Sequence, residues 1–213
     1  MADALLAGAT GLIGQALART WAGPGTMHML VRRPVPAPSP ACLVQVVDFG
    51  QLPALPAAQS AYCCLGTTIK VAGSQAAFRA VDHDAVLAFA RAAQAAGVTR
   101  FALVSALGAD ARSKNFYSRV KGETEAALAS VGFASLVIAR PSLLLGDRSA
   151  LGQPERHGER IGQALSRAIG GLIPSAWRPI AADVVARALL RSLASPAAGV
   201  TVLDSAALQR LGR

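Results

Sequence analysis

The chain has 213 residues, 53% of them hydrophobic and 15% charged. That balance excludes an intrinsically disordered protein and suffices for one substantial core without a disulfide or metal staple. The net charge of +9 is carried mostly by arginines scattered along the chain. No helix-turn-helix, zinc-finger or aromatic-basic RNA motif accompanies them, so nucleic acid is not an expected partner.

Ala4–Ala7 reads as a short buried strand, followed by a Gly-rich turn and a helix from Leu12 to about Trp21. No Lys or Arg precedes this apolar N-terminus, so a strand and turn explain it better than a signal peptide. Thr26–Arg32 is the second strand and Val35–Pro40 a Pro-rich loop. Leu43–Val47 and Ala61–Leu65 are the third and fourth strands, short apolar runs typical of a sheet buried on both faces. Gln75–Ala96 carries a long Ala-rich helical pattern that stops at Gly97. Phe101–Val104 is the fifth strand, Tyr117–Ser130 a helix ending near Gly132, and Ser135–Ala139 the sixth strand. After Gly146 the pattern weakens, with a helix over Glu159–Ile169, a clear helix over Ala181–Leu193 and a further strand over Gly199–Leu203. Strands alternating with helices predict an α/β protein: one domain over 1–213, a doubly wound parallel sheet with helices on both faces. No stretch of about 18 residues runs free of charges and breakers, so no membrane insertion is expected. The three cysteines, Cys42, Cys63 and Cys64, form neither a disulfide framework nor a zinc motif, and a reduced, cytoplasmic location is the expectation.

Gly8-Ala9-Thr10-Gly11-Leu12-Ile13-Gly14 joins the first strand to the first helix. Glycines let the backbone turn sharply and approach a pyrophosphate, and the helix start offers free N–H groups at the positive end of its dipole. A glycine triplet alone is a weak signal; its place between strand and helix at the start of a βαβ unit gives it meaning. The bland alternative is a structural tight turn. The second strand ends in Arg32-Arg33, and no Asp or Glu occurs between Asp3 and Asp48. In dinucleotide folds an acidic residue near this point selects NAD, and arginine accommodates a 2′-phosphate. NADP(H) is therefore favoured over NAD(H), the alternative being two ordinary surface arginines.

Tyr117 and Lys121 stand at i and i+4, on one face of a helix. A phenol is a poor acid or base at neutral pH, and a nearby ammonium favours the phenolate. Such a pair can pass a proton to or from a substrate oxygen while a nicotinamide moves a hydride, and the lysine can also reach the cofactor ribose. The alternative is an exposed helix pair without a chemical role.

Together these residues resemble the short-chain dehydrogenase/reductase superfamily in its extended and atypical branches. The glycine turn has the form those branches use, and Tyr117 with Lys121 matches their catalytic pair. Tyr62-Cys63-Cys64-Leu65-Gly66-Thr67-Thr68, Val81-Asp82-His83-Asp84, Val104-Ser105 through Asp110, Asn115-Phe116-Tyr117 through Glu123, and Arg140-Pro141 are similar to the HIV Tat-interacting-protein oxidoreductase family. The resemblance covers about residues 4–180. It implies an NADP(H)-binding Rossmann fold with a small cap over about 146–180. It also implies roles. Gly8, Gly11 and Gly14 would line the pyrophosphate, with contacts from Thr10, Leu12 and Ile13. Asp48 would meet the adenine edge, and Leu65, Gly66 and Thr67 would line the adenosine and ribose. Pro141 and Ser142 would sit by the nicotinamide. Ser105 takes the place of the superfamily's third catalytic residue, either orienting a substrate oxygen or only satisfying a strand end. Ala106 follows where a second serine is usual, and the catalytic asparagine has no clear counterpart, Asp82 being nearest.

Two functions from different classes follow. One is an NADPH-dependent reductase of a small carbonyl compound, with Tyr117 as proton donor, Lys121 as its cationic neighbour and Ser105 polarising the carbonyl. The other is a regulatory protein that binds NADP(H) with little turnover and changes partners on binding. Sugar-nucleotide epimerisation is a third and weaker option, given the small cap. A homodimer through the exposed faces of the helices at Gln75–Ala96 and Tyr117–Ser130 is expected by analogy, and the resemblance also brings a protein partner into view. His28 reads as a core or edge histidine, His83 as part of a polar helix start, His157 as loop, and Cys63-Cys64 as inert packing.

Overall fold

A computed structural model describes residues 3–145 and 177–213. Its central sheet has seven strands, all parallel. In chain order they are β1 (Ala4–Ala7), β2 (Met27–Val31), β3 (Cys42–Val46), β4 (Ser60–Cys63), β5 (Arg100–Val104), β6 (Ser135–Arg140) and, after a two-residue pair β7 (Leu144–Leu145) with β8 (Ile180–Ala181), β9 (Gly199–Asp204). The spatial order is β3-β2-β1-β4-β5-β6-β9. β1 and β2 are buried along their whole length, which is why they read as apolar runs, broken in β2 only by His28; β3, at an edge, is exposed at Leu43 and Val46.

Two cores lie on the two faces of the sheet. On one, helix α1 (Leu12–Thr20) packs against α6 (Ala182–Ala194) through small and branched residues such as Ala16, Leu17, Val185 and Leu189. On the other, Phe89, Phe101, Leu128 and Ile138 join α4 (Ala85–Ala95) and α5 (Phe116–Ala129) to the strands, with Phe101 stacked on Phe133 at 4.7 Å. The doubly wound parallel sheet expected from the sequence is present. The strand sequence reverses direction between β1 and β4, and the crevice beyond the carboxyl ends of those strands is where such sheets place ligands.

The helix expected over Gln75–Ala96 is not uniform. It comprises α3 (Gln75–Arg79), a π-helical turn over Ala80–Asp84, and α4. Asp82, within that turn, is buried. Two short helices escaped the periodicity argument because neither spans two full turns: α2 (Ile69–Ala72), capped by Thr68, and α7 (Ser205–Leu211), capped by Asp204. Gly97 and Gly132 have φ of +88° and +90°, the left-handed geometry that ends α4 and α5. The helix expected at Glu159–Ile169, His157 and nearly all of the cap lie outside the described residues.

Candidate active site

The glycine turn is fixed by close approach. Gly8 has φ +82°, and a Cβ there would stand 2.4 Å from the Cys64 carbonyl. A Cβ on Gly14 would stand 2.2 Å from the Gly8 oxygen, so α1 can start this near β1 only through glycine. Gly11 caps α1 in an extended conformation with no side-chain cap, and the first turn carries no acidic residue. The amides at that end face a cleft bordered by Gly8 through Gly14. Uncapped amides, a positive dipole end and the lack of a carboxylate in that turn fit a pyrophosphate.

The cleft measures about 1030 Å³ and runs from this turn past Leu65, Gly66 and Thr67 to Ser105, Tyr117 and Lys121. Its volume is at the upper end for small-ligand sites, as a dinucleotide requires. Arg32 and Asp48, both exposed, border its other end at the tips of β2 and β3. Three residues expected at the cofactor do not line it. Arg33 is exposed and does not border the cleft. The Pro141 carbonyl accepts from the Leu107 amide at 3.0 Å. Ser142 donates to the Arg178 carbonyl at 2.5 Å and pairs with the Ser205 hydroxyl at 2.9 Å, which ties the C-terminal segment to the end of β6. Leu144, slightly further on, borders the cleft instead.

Asn115 caps α5 by accepting the Ser118 amide at 3.1 Å, and the helix then delivers Tyr117 and Lys121 to the cleft. The Tyr117 ring lies 5.4 Å from that of Phe78, tilted by 40°. Lys121 is buried, with its ammonium 2.7 Å from the Asp82 carboxylate. Burial opposes its charge, but the Asp82 carboxylate beside it outweighs that and holds its pKa above the ordinary lysine value. The other Asp82 oxygen accepts the Thr67 amide at 2.8 Å. Asp82 is thus part of the site, where the sequence reading had only set it nearest a missing asparagine. One signal was present: Phe78, Asp82, Val86 and Phe89 follow a helical stripe whose other members are all core. A carboxylate on such a stripe requires a buried partner.

The Ser105 hydroxyl donates to Glu125, which the Arg140 guanidinium holds through contacts of 2.5 and 3.1 Å. This network ties β5, α5 and β6 together beneath the cleft. The Arg140 pKa is raised, chiefly by its hydrogen bond to Glu125. The two described histidines, His28 and His83, do not line the cleft. His28 bridges Asp3 and Gln45 in the sheet edge, as expected of a structural histidine. His83 pairs with Asp84 at 2.7 Å, within the π turn and not at a helix start. Burial pushes the Cys63 thiol up to about 12, in keeping with a packing residue, whereas Cys64, its thiol also held well above the ordinary range, is only half-buried and borders the cleft.

Among the described residues no helix is long and apolar enough to cross a membrane. No family model matches the chain. It is 37% identical to protein HTATIP2 of Rattus norvegicus over 177 residues, 79% of this chain and 69% of that protein. It is 33% identical to the mitochondrial protein FMP52 of Eremothecium gossypii over 179 residues, 80% of this chain and 76% of the other. Among solved structures, MoeE5 in complex with UDP-glucose and NAD superposes with a TM-score of 0.70 at 19% identity, over 94% of this chain and 75% of that one. FMP52 proteins of Coccidioides immitis and Emericella nidulans are also named mitochondrial, and these names overturn the expected cytoplasmic location. Cysteine usage reported only a reducing setting, which does not distinguish compartments. The chain belongs to the family of HTATIP2 and FMP52, an atypical branch of the short-chain dehydrogenases/reductases.

Proposed function

We propose that this protein is an oxidoreductase that binds a nicotinamide dinucleotide, NADP(H) in preference to NAD(H), and reduces a small carbonyl compound. One observation carries the reading: a single cleft joins the glycine turn to Tyr117 and Lys121. The uncapped amides from Leu12 to Gly14 would hold the pyrophosphate, with Gly8, Thr10 and Gly11 shaping the turn, where the Gly11 amide donates to the Gly8 carbonyl at 3.1 Å. Leu65, Gly66 and Thr67 would line the adenosine and ribose, Asp48 would meet the adenine edge, and Arg32 would take a 2′-phosphate.

Held by these residues, a reduced nicotinamide would supply the hydride for the carbonyl carbon. Tyr117 gives its phenolic proton to the carbonyl oxygen as the C=O bond becomes C–O–H. Lys121, held cationic beside it, stabilises the negative charge left on the phenol oxygen. Ser105 has one hydroxyl proton, and Glu125 accepts it, so in this arrangement Tyr117 alone polarises the carbonyl.

Calorimetric titration with NADPH and NADH tests the cofactor. Tighter binding of NADPH, lost in Arg32→Ala, is the expected result; preference for NADH overturns the role given to Arg32. With a panel of small carbonyl compounds, Tyr117→Phe is expected to lose about 10²- to 10⁴-fold in turnover with dinucleotide affinity kept. Unchanged turnover would refute the proton relay. The engagement of Ser105 by Glu125 favours a second reading, a regulatory NADP(H)-binding protein with little turnover. Tight NADPH binding with no turnover across the whole panel is the result that selects it.

A further inference from the structure

We propose that Asp82 is the positioning residue for Lys121: its carboxylate bridges the ammonium to the Thr67 backbone, and so fixes the Tyr117–Lys121 pair against the segment Leu65–Thr67. This inference rests on the reading that the cleft holds a nicotinamide dinucleotide.

Three separate parts of the chain meet at Asp82. One carboxylate oxygen is 2.7 Å from Lys121, and the other accepts the Thr67 amide at 2.8 Å. Its backbone carbonyl accepts the Thr124 hydroxyl at 3.0 Å. The segment after β4, the π turn and α5 are therefore pinned to one residue. Asp82 is 1% exposed and Lys121 5%. Burying both charges is costly unless each is paired. An apolar side chain of similar volume fills a core position at less cost, but it cannot take an ammonium and an amide at once.

The backbone is shaped for the contact. Ala80–Asp84 forms a π turn inside an otherwise α-helical run from Gln75 to Ala95, and such turns recur at functional sites. Gly66 completes the arrangement from the cleft side. A Cβ there would lie 3.4 Å from the Asp82 oxygen and 3.6 Å from the Lys121 nitrogen, so the ion pair sits directly behind a residue that lines the cleft. Lys121 borders the cleft and Asp82 does not. The Thr67 amide needs only an acceptor oxygen, so the negative charge of Asp82 acts on a ligand through the lysine, and that effect belongs to the half of the cofactor nearest Tyr117.

The test compares Asp82→Asn with the wild type for two ligands: NADPH, and adenosine 2′,5′-bisphosphate, which lacks the nicotinamide half. Asparagine keeps an acceptor for the Thr67 amide but removes the charge. NADPH affinity is expected to fall about tenfold or more, with the bisphosphate unchanged. Equal losses for both ligands, or no loss for either, overturn the proposal. The second readout is acylation of lysine amines, quantified by mass spectrometry, with exposed Lys70 and Lys114 as internal references. Lys121 is expected to be protected in the wild type and labelled in Asp82→Asn; unchanged protection overturns the proposal. Should Asp82→Asn fail to fold, the double variant Asp82→Asn/Lys121→Met removes the unpaired ammonium and is expected to recover the fold. A double variant that also fails to fold shows that Asp82 serves the core and not the lysine. If the wild type binds neither NADPH nor NADH, the cofactor reading falls, while the labelling and the double variant still decide the role of Asp82.

Discussion

Replacing Gly122 by alanine separates two forces that act in opposite directions on α5. Alanine is the better helix former by about 1 kcal/mol in a helix interior, so propensity alone predicts stabilisation. The tertiary contact predicts the reverse. A Cβ on Gly122 would lie 2.1 Å from the Ala111 amide nitrogen and 2.3 Å from the Asp110 carbonyl carbon, both backbone atoms with no rotamer to yield. The helix and the loop must part from 2.1 Å toward the 3.4 Å of ordinary contact. Overpacking of this kind costs typically about 1–3 kcal/mol, and rigid backbone on both sides puts it at the upper end. The net is destabilisation of about 2 kcal/mol, or roughly 4–8 °C in Tm for a chain of this size. Because α5 carries Tyr117 and Lys121, a shift on the order of 1 Å would also cost about a hundredfold in turnover. Thermal unfolding monitored by circular dichroism gives the sign directly. A Gly122→Ala protein more stable than wild type would refute the close-approach argument, since propensity would then be the larger effect.

Gly14→Ala should abolish dinucleotide binding by calorimetry while the sheet remains folded by circular dichroism, because its Cβ meets the Gly8 oxygen at 2.2 Å; retained affinity would remove the glycine turn from the binding site. Native protein at pH 8 should resist iodoacetamide at Cys63, which is fully buried and whose thiol burial pushes up to about 12, and alkylate there once unfolded. The Asp3 pKa is held below its ordinary value, first by the Thr26 amide and then by His28. The stability it contributes is therefore present above about pH 4 and lost as pH falls through the lowered value. Asp3→Asn should flatten the acid limb of a stability–pH curve; an unchanged limb would place that contribution elsewhere.

The fold was legible because its signals are local and repeated. Buried strands such as β1 and β5 are short apolar runs between turn residues, and Gly97 and Gly132 end helices through a backbone geometry that side chains disfavour. The pairing of Tyr117 with Lys121 was legible too, since a four-residue spacing on a helix fixes a shared face. Residues after β6 were less legible. Pro141 and Ser142 were placed by family resemblance, and whether a residue beyond a strand end faces the crevice depends on how the following chain returns. Here it returns to bind Ser142 through Arg178 and Ser205, drawing that side chain off the cleft.

The sequence by itself determined the parallel sheet, the glycine turn and the shared helix face of Tyr117 and Lys121, because each is encoded in local spacing and its repetition along the chain. Only the tertiary structure decided what the buried charges do. Asp82 and Lys121 are 39 positions apart, and Ser105 just after β5, Glu125 on α5 and Arg140 at the end of β6 come from three parts of the chain. Their contacts arise when the π turn, α5 and β6 close on one another. In a low-dielectric interior such charges must find partners, and which partners they find depends on packing between elements, which no spacing along the chain records.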